Sequence, residues 1–340
     1  MKKILFLAVS LVLAWGMTSC AKKSVVHAPS IAVFITGIIA DSPSYAHVAE
    51  GVTDAVNEYN AALPEEKKAR LYIMEAGTNQ AEWASKLTAL AATGEYDVIL
   101  SSNPSLPELV APISAQFPKQ KFIFLDASAE GNSNLYTVSY NQRDQAYISG
   151  YMAGLYSKTH KVGLIAAQEY PIMNTILYPY FAKGALDAFP GTTAEFRVVG
   201  NWYDATKGAE IARAMYDAGI DMILPICGGA SQGVIATARE KRMHIVWFDE
   251  NGFKKAPGVI ISCCMTKHAL CAKETTFAYL MGTIPWGTVR SVGFKDGYVS
   301  YFDDDPAYIS NVPQDIREKM AVLVKALRTG EKVLPQKLEN

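Results

Sequence analysis

Short β-branched and apolar runs alternate with amphipathic segments of helical length along most of the chain, and the whole alternation occurs twice. This is the pattern of parallel strands joined by crossover helices, because parallel neighbours cannot be linked by a tight hairpin. Strands are predicted at 31–35, 71–75, 97–101, 121–126 and 136–140, and again at 161–166, 196–200, 221–226, 244–249 and 259–265. Helices are predicted at 46–63, 81–93, 107–116, 144–157, 178–188, 205–217, 232–241 and 268–281, followed by an amphipathic helix at 314–330 with Lys319, Lys325 and Arg328 on its solvated side. The expected fold is therefore α/β, with two doubly wound parallel-sheet lobes. Open sheets of this kind leave a crevice at the carboxyl ends of their strands, so residues just after strand ends are the site candidates. No Gly/Ser-rich or Pro-rich linker separates the halves, which predicts short crossings and a stiff hinge.

The 340 residues are 50% hydrophobic and 19% charged, with a formal charge of −1, which excludes disorder or nucleic-acid binding as the main theme. The first residues differ from the rest: Lys2 and Lys3 precede an apolar run from Ile4 to Met17, then Thr18, Ser19 and Cys20. This reads as an export signal at 1–19, too short for a permanent membrane span. Cys20 after Met-Thr-Ser resembles a bacterial lipobox, so the expectation is acylation at Cys20, a tether at 20–30 and an exported chain anchored to a membrane and facing the periplasm. An ordinary secretory peptide with an incidental cysteine stays open. Removal of Lys2 and Lys3 takes the formal charge to −3. Cys227, Cys263, Cys264 and Cys271 show no Cys-x-x-Cys spacing and read as structural, with no metal site expected.

The strand-end filter selects Asp41, Ser44, Tyr45, Asn103, Asp126, Tyr140, Asn141 and Gln142 in the first half. In the second it selects Asn201, Trp202, Tyr203, the loop 227–233 with Gly228, the stretch Asp249, Glu250 and Asn251, and Thr266 with Lys267. The set is rich in aromatic rings and neutral hydrogen-bonding groups and poor in cations. It suits an uncharged, flat, hydroxylated ligand, with Asp126 and Asp249 accepting hydroxyl hydrogens and Lys267 donating. Phosphate is disfavoured, since neither Gly-x-Gly-x-x-Gly nor Gly-Lys-Ser/Thr occurs. A competing reading is a lipid-anchored serine hydrolase: Gly229-Ala-Ser231-Gln-Gly233 matches Gly-x-Ser-x-Gly and is followed by Asp249 and His268. Against it, that triad is compressed into a short stretch and His268 opens a helix beyond a further strand.

The chain resembles the basic membrane protein (Bmp/Med) lipoproteins, substrate-binding components of ABC importers whose characterised members bind purine nucleosides. The resemblance rests on Asp41 with Glu50-Gly51, Tyr147-Ile-Ser-Gly150 with Ala153-Gly154, Lys161-Val-Gly163 and Asp204-Ala-Thr-Lys-Gly208. It continues through Ala214-Met-Tyr-Asp217 with Gly219, Gly228-Gly229 with Gly233-Val234, and Asp249 and Lys267. It implies a type I periplasmic-binding fold with a multi-crossover hinge, no enzymatic activity, a monomer, and an ABC permease with its ATPase as partners. It also implies that Asp249 and Lys267 hold sugar hydroxyls while aromatic rings sandwich a base. The expected lobes are 31–127 plus 251–285 and 128–250 plus 286–340. Three departures from the family pattern bear on the ligand. Where the family usually has Asp-Lys-Ser-Phe-Asn, this chain has Asp41-Ser-Pro-Ser44-Tyr45; an acidic residue of the preceding strand is Ile35; and Trp202 stands where Phe is usual. Missing purine-edge groups and a larger stacking plate point, by resemblance to a spirochaete branch, to riboflavin as cargo. Trp202 with Tyr45 would stack its ring, Asp249 and Lys267 hold the ribityl chain, and Asp126 and Asn103 meet the pyrimidine edge. A purine nucleoside remains the alternative ligand. Core packing is the plainer role for Tyr45 and Trp202, and helix capping for Asp249.

Overall fold

The computed structural model describes residues 28–248 and 250–338. The first elements in order are β1 (Ser30–Ile35), α1 (Pro43–Asn60), β2 (Arg70–Glu75), α2 (Trp83–Ala92), β3 (Val98–Ser102), α3 (Leu106–Gln116), β4 (Lys121–Leu125) and β5 (Leu135–Tyr140). They continue as α4 (Gln142–Tyr156), β6 (Lys161–Ala166), α5 (Tyr178–Ala188), β7 (Thr193–Val198), α6 (Ala205–Asp217), β8 (Met222–Ile226), α7 (Ser231–Lys241) and β9 (His244–Phe248). The last are β10 (Ile260–Thr266), α8 (His268–Leu280), β11 (Val289–Val292), β12 (Val299–Tyr301), α9 (Pro306–Asn311) and α10 (Gln314–Thr329). Two six-stranded sheets result, ordered β11-β5-β4-β3-β1-β2 and β12-β10-β9-β8-β6-β7. All pairings are parallel except β12, which runs antiparallel to β10. The expected α/β class with two parallel-sheet lobes is therefore what forms.

Burial explains why the strand runs read as they do. Every residue of β1 is buried. Ile31, Val33 and Ile35 pack with α1 and α8 on one face, while Ala32 and Phe34 pack with α2 and α3 on the other. A central strand covered on both sides must be apolar throughout. Edge strands β2 and β7 keep half-exposed positions. β10 is likewise covered on both faces, so Cys263 and Cys264 are both buried although they point in opposite directions.

The glycines that carry the family resemblance are mostly packing devices. A Cβ at Gly150 would lie 1.9 Å from the Phe181 carbonyl oxygen, and one at Gly51 2.1 Å from that of Ala269. These positions bring α4 onto α5 and α1 onto α8 backbone to backbone.

Chain division differs from expectation at three places. β5 pairs with β4 in the first sheet, β10 with β9 in the second, and β11 with β5 in the first, so the boundaries at 127/128, 250/251 and 285/286 all fall too early. In the first two cases a short connection without a long helix keeps sequential strands as neighbours in one sheet. β1 also begins at Ser30, inside the expected tether. Export signal and Cys20 lie outside the described residues.

The chain crosses between sheets three times: from β5 into α4, from β10 into α8, and from β11 to β12. The crossings are tied together, because Asn141 N donates to Val292 O at 2.6 Å and Lys267 N to Tyr298 O at 2.8 Å. Hinge and cleft thus share residues.

Candidate ligand-binding cleft

Carboxyl ends of the strands from both sheets face one cleft, with about 1120 Å³ of empty space including the part open to solvent. Ligand sites for small organic molecules run to roughly 300–1,000 Å³, so its scale is that of a small-molecule site. One wall comes from the first lobe: Asp41 to Tyr45 after β1, Ser102 to Pro104 after β3, and Asp126 after β4. The opposite wall comes from Tyr170, Leu177, Trp202, Tyr203, the segments Pro225–Gly229 and Ser231–Gln232, and Trp247, Phe248, Glu250 and Lys255. Gln142 and His268 line it from the hinge.

Of the residues selected from the sequence, Asp41, Ser44, Tyr45, Asn103, Asp126, Trp202 and Gly228 line this cleft, as do Gln142, Tyr203 and Glu250. Tyr140 does not line it; buried behind the cleft, its ring meets that of His268 edge-on with centroids 5.2 Å apart. Lys267 is not among the lining residues either. It is half-buried at the second crossing, where its backbone N donates to Tyr298 O. Asp249 lies outside the described residues.

A hydrogen-bonded cluster sets the first wall. Tyr45 OH and Thr36 Oγ1 are 2.9 Å apart, and Asn103 Nδ2 donates to Thr36 Oγ1 at 3.2 Å. Tyr203 OH, from the other lobe, donates to Thr36 O at 3.0 Å. Burial raises the Tyr45 hydroxyl pKa, against the opposing pull of its bonds to Thr36 and Asn103. Burial also raises Tyr203. Both phenols are neutral donors and acceptors under physiological conditions. Asp126 follows β4 in a left-handed conformation, φ 51°, and accepts from Gln142 Nε2 at 3.0 Å. That bond links the cleft floor to the first turn of α4.

The second wall is aromatic. Asn201 Oδ1 accepts from Tyr203 N and Asp204 N, both at 2.8 Å, and this turn projects Trp202 into the cleft. Gly228, with φ 55°, backs onto Trp202; a Cβ there would lie 3.0 Å from Trp202 O and 3.3 Å from its ring. The adjacent glycines thus serve the approach of the Trp202 loop, which Ala230 N closes onto Trp202 O at 3.1 Å. Tyr170 stands roughly parallel to Trp202, at 29° with centroids 6.4 Å apart. Trp247 Nε1 donates to Glu250 Oε1 at 3.2 Å, and Lys255 Nζ is 3.2 Å from the same oxygen.

Sequence reasoning did not select Tyr170, Leu177, Trp247, Phe248 or Lys255. Tyr170 follows β6 closely, so the strand-end filter applied to that loop finds it. Leu177 sits in a π-helical turn, Met173–Leu177, which carries no periodic sequence signature.

Ser231 and His268, the two described members of the hydrolase constellation, are not hydrogen-bonded to each other: Ser231 is buried and its Oγ pairs with Cys227 Sγ at 3.2 Å, while neither ring nitrogen of His268 has a hydrogen-bond partner among the described residues. Burial pushes the Cys227 thiol up to about 12, so it is no ready nucleophile in this state.

A match to the family described as Bmp, ABC transporter substrate-binding protein PnrA-like, runs over residues 28–331. The chain belongs to the Bmp family. It is 24% identical over 330 residues to basic membrane protein A of Borreliella afzelii, covering 95% of this chain and 97% of that one. It is 22% identical over 259 residues to the ABC transporter nucleoside-binding protein BmpA of Lactococcus lactis, covering 71% and 72%. Among solved structures, an ABC transporter solute-binding protein from Aeropyrum pernix superposes with TM-score 0.71 at 18% identity, over 91% of this chain and 94% of that one. This last likeness establishes the type I periplasmic-binding fold. Within the Bmp family the protein is an ABC-transporter substrate-binding protein, and the interlobe cleft is where a fold of this type holds its substrate.

Proposed function

We propose that this Bmp-family protein captures riboflavin between its lobes and presents the closed complex to an ABC permease. The observation that carries this reading is the aromatic second wall: Trp202, flanked by Tyr170, gives a broad plate in a cleft whose opposite wall is polar and hydrogen-bonding. A tricyclic ring gains most from such a plate. Charge supports a neutral ligand. Among the described lining residues the acids are Asp41, Asp126 and Glu250, and the single cation, Lys255, is already paired with Glu250. A phosphorylated flavin would meet carboxylates without a free counter-charge. Asp249 and Lys267 are proposed as ribityl contacts. Export and anchoring through an acylated Cys20 complete the proposal.

The test is the visible spectrum of the domain from Ala21 onward, purified without added ligand, then denatured to identify what it releases. A yellow protein releasing unmodified riboflavin is expected. FMN should bind on the order of 100-fold more weakly, and Trp202→Ala should weaken riboflavin binding roughly 10- to 100-fold. A purine nucleoside is the second reading, favoured by the name of the Lactococcus lactis relative. A colourless protein that fails to quench riboflavin fluorescence but binds guanosine would replace the flavin by that ligand.

A further inference from the structure

His268 is 3% exposed, lines the cleft, and has both ring nitrogens buried without a hydrogen-bond partner. Buried polar groups in folded proteins are nearly always paired, and an exception asks for an explanation. Among the described residues its surroundings supply none. Tyr140 offers its ring in an edge contact, and His47 on α1 acts on it only through charge. Burial, with a smaller contribution from His47, lowers the imidazole pKa to about 3, so the ring is neutral whenever the protein works. A neutral imidazole carries one N–H donor and one bare acceptor nitrogen, and either tautomer is open to it until a partner decides.

We infer that His268 is a ligand-reading residue of the cleft, a neutral hydrogen-bonding group whose missing partner is an uncharged polar group of the bound molecule, such as a hydroxyl or an amide edge. This rests on the proposed cleft function and adds to it a specificity element that favours neutral over anionic ligands. The position is fixed from below. His268 opens α8 directly after the second crossing, and α8 packs onto α1 through the Gly51–Ala269 contact, so the ring stays at the hinge end of the cleft. An anion there would find an uncharged ring in place of an imidazolium, whereas a hydroxyl satisfies whichever nitrogen faces it.

The experiment compares wild type, His268→Phe, His268→Asn and His268→Gln by riboflavin fluorescence quenching, with guanosine titrated in parallel. His268→Phe keeps an aromatic ring against Tyr140 and is expected to fold. Its riboflavin affinity should fall roughly 10- to 100-fold, the cost of one lost hydrogen bond to a buried group. Asn or Gln should recover part of that loss, the better of the two showing which nitrogen is used. Unchanged affinity in His268→Phe overturns the inference. If wild type binds guanosine and not riboflavin, the flavin reading fails, and the same variants titrated with guanosine still decide the role of His268. As a measurement independent of any variant, the long-range ¹H–¹⁵N imidazole spectrum should show a neutral ring whose tautomer resonances shift when ligand is added; no shift at saturation counts against the inference.

Discussion

Asp144 occupies the first turn of α4 beside the hinge, where burial raises its carboxyl pKa to about 6 against a weaker opposing pull from Arg143. An acid with a folded-state pKa above its unfolded value of roughly 3.9 favours the fold most below that value, and the advantage is lost as pH rises through about 6. Asp144→Asn removes the penalty. Because solvent reaches part of the carboxyl, the shift is discounted, and the variant should be about 1–2 kcal/mol more stable than wild type at pH 7.5. Urea unfolding at pH 7.5 and pH 4 checks this, with the difference expected to vanish at the lower pH. His268 acts with the opposite sign: its pKa is depressed to about 3, so its contribution is present above roughly 6.5 and lost as pH falls toward 3. Strand-end placement made Tyr45, Asn103 and Trp202 legible from the sequence, because a parallel sheet delivers such residues to one edge. The same rule selected Lys267 but says nothing of where its side chain turns. The environment of His268 was illegible for a related reason: it depends on Tyr140 and α1, which come from remote parts of the chain.

α4 and α5 pack backbone to backbone in the second lobe, and their contact depends on small residues on both sides. A Cβ at Gly150 would meet the Phe181 carbonyl oxygen at 1.9 Å, and one at Gly184 the Tyr147 carbonyl oxygen at 2.2 Å. Backbone cannot yield as a flexible side chain does, so Gly150→Ala must push the helices apart and loosen the packing of Tyr147 and Phe181, both fully buried. Overpacking of this kind typically costs about 1–3 kcal/mol, partly offset by alanine's better helix propensity. Thermal unfolding of Gly150→Ala should show a lower midpoint, while riboflavin affinity of the folded fraction stays near wild type because α5 does not line the cleft beyond its N-terminal approach. An unchanged midpoint would mean the two helices are not held this tightly. Elements with strong periodicity were readable in advance: all ten expected strands form, with shifts at their ends. β11, β12 and α9 were not, since short edge strands and a single-turn-scale helix carry too few residues for a period to show.

Among the described residues, hydrogen bonds from Tyr203 OH to Thr36 O at 3.0 Å and from Gln168 Nε2 to Gln80 Oε1 at 2.7 Å join the lobes across the cleft. Tyr203 enters the first lobe only because residue 37 is glycine; a Cβ there would stand 2.2 Å from Tyr203 OH and 2.9 Å from the Tyr45 ring. Trp202 and Tyr203 thus divide one turn between two tasks, the first lining the cleft and the second fastening the opposite lobe. Since a ligand shifts the open–closed balance only by its differential contact with the closed form, anything that expels Tyr203 must weaken binding by disfavouring closure. Gly37→Ala should leave both lobes folded, with an unchanged far-ultraviolet spectrum, yet remain more extended than wild type in small-angle scattering when riboflavin is present. Its affinity should fall roughly 10-fold or more. Tyr203→Phe, which keeps the ring and loses one hydrogen bond, should fall less, by about 3- to 10-fold. The discriminating result is the scattering of Gly37→Ala at saturating ligand. A radius of gyration equal to that of liganded wild type would show that closure tolerates a side chain at residue 37, and that the bond from Tyr203 to Thr36 follows closure without helping to set it.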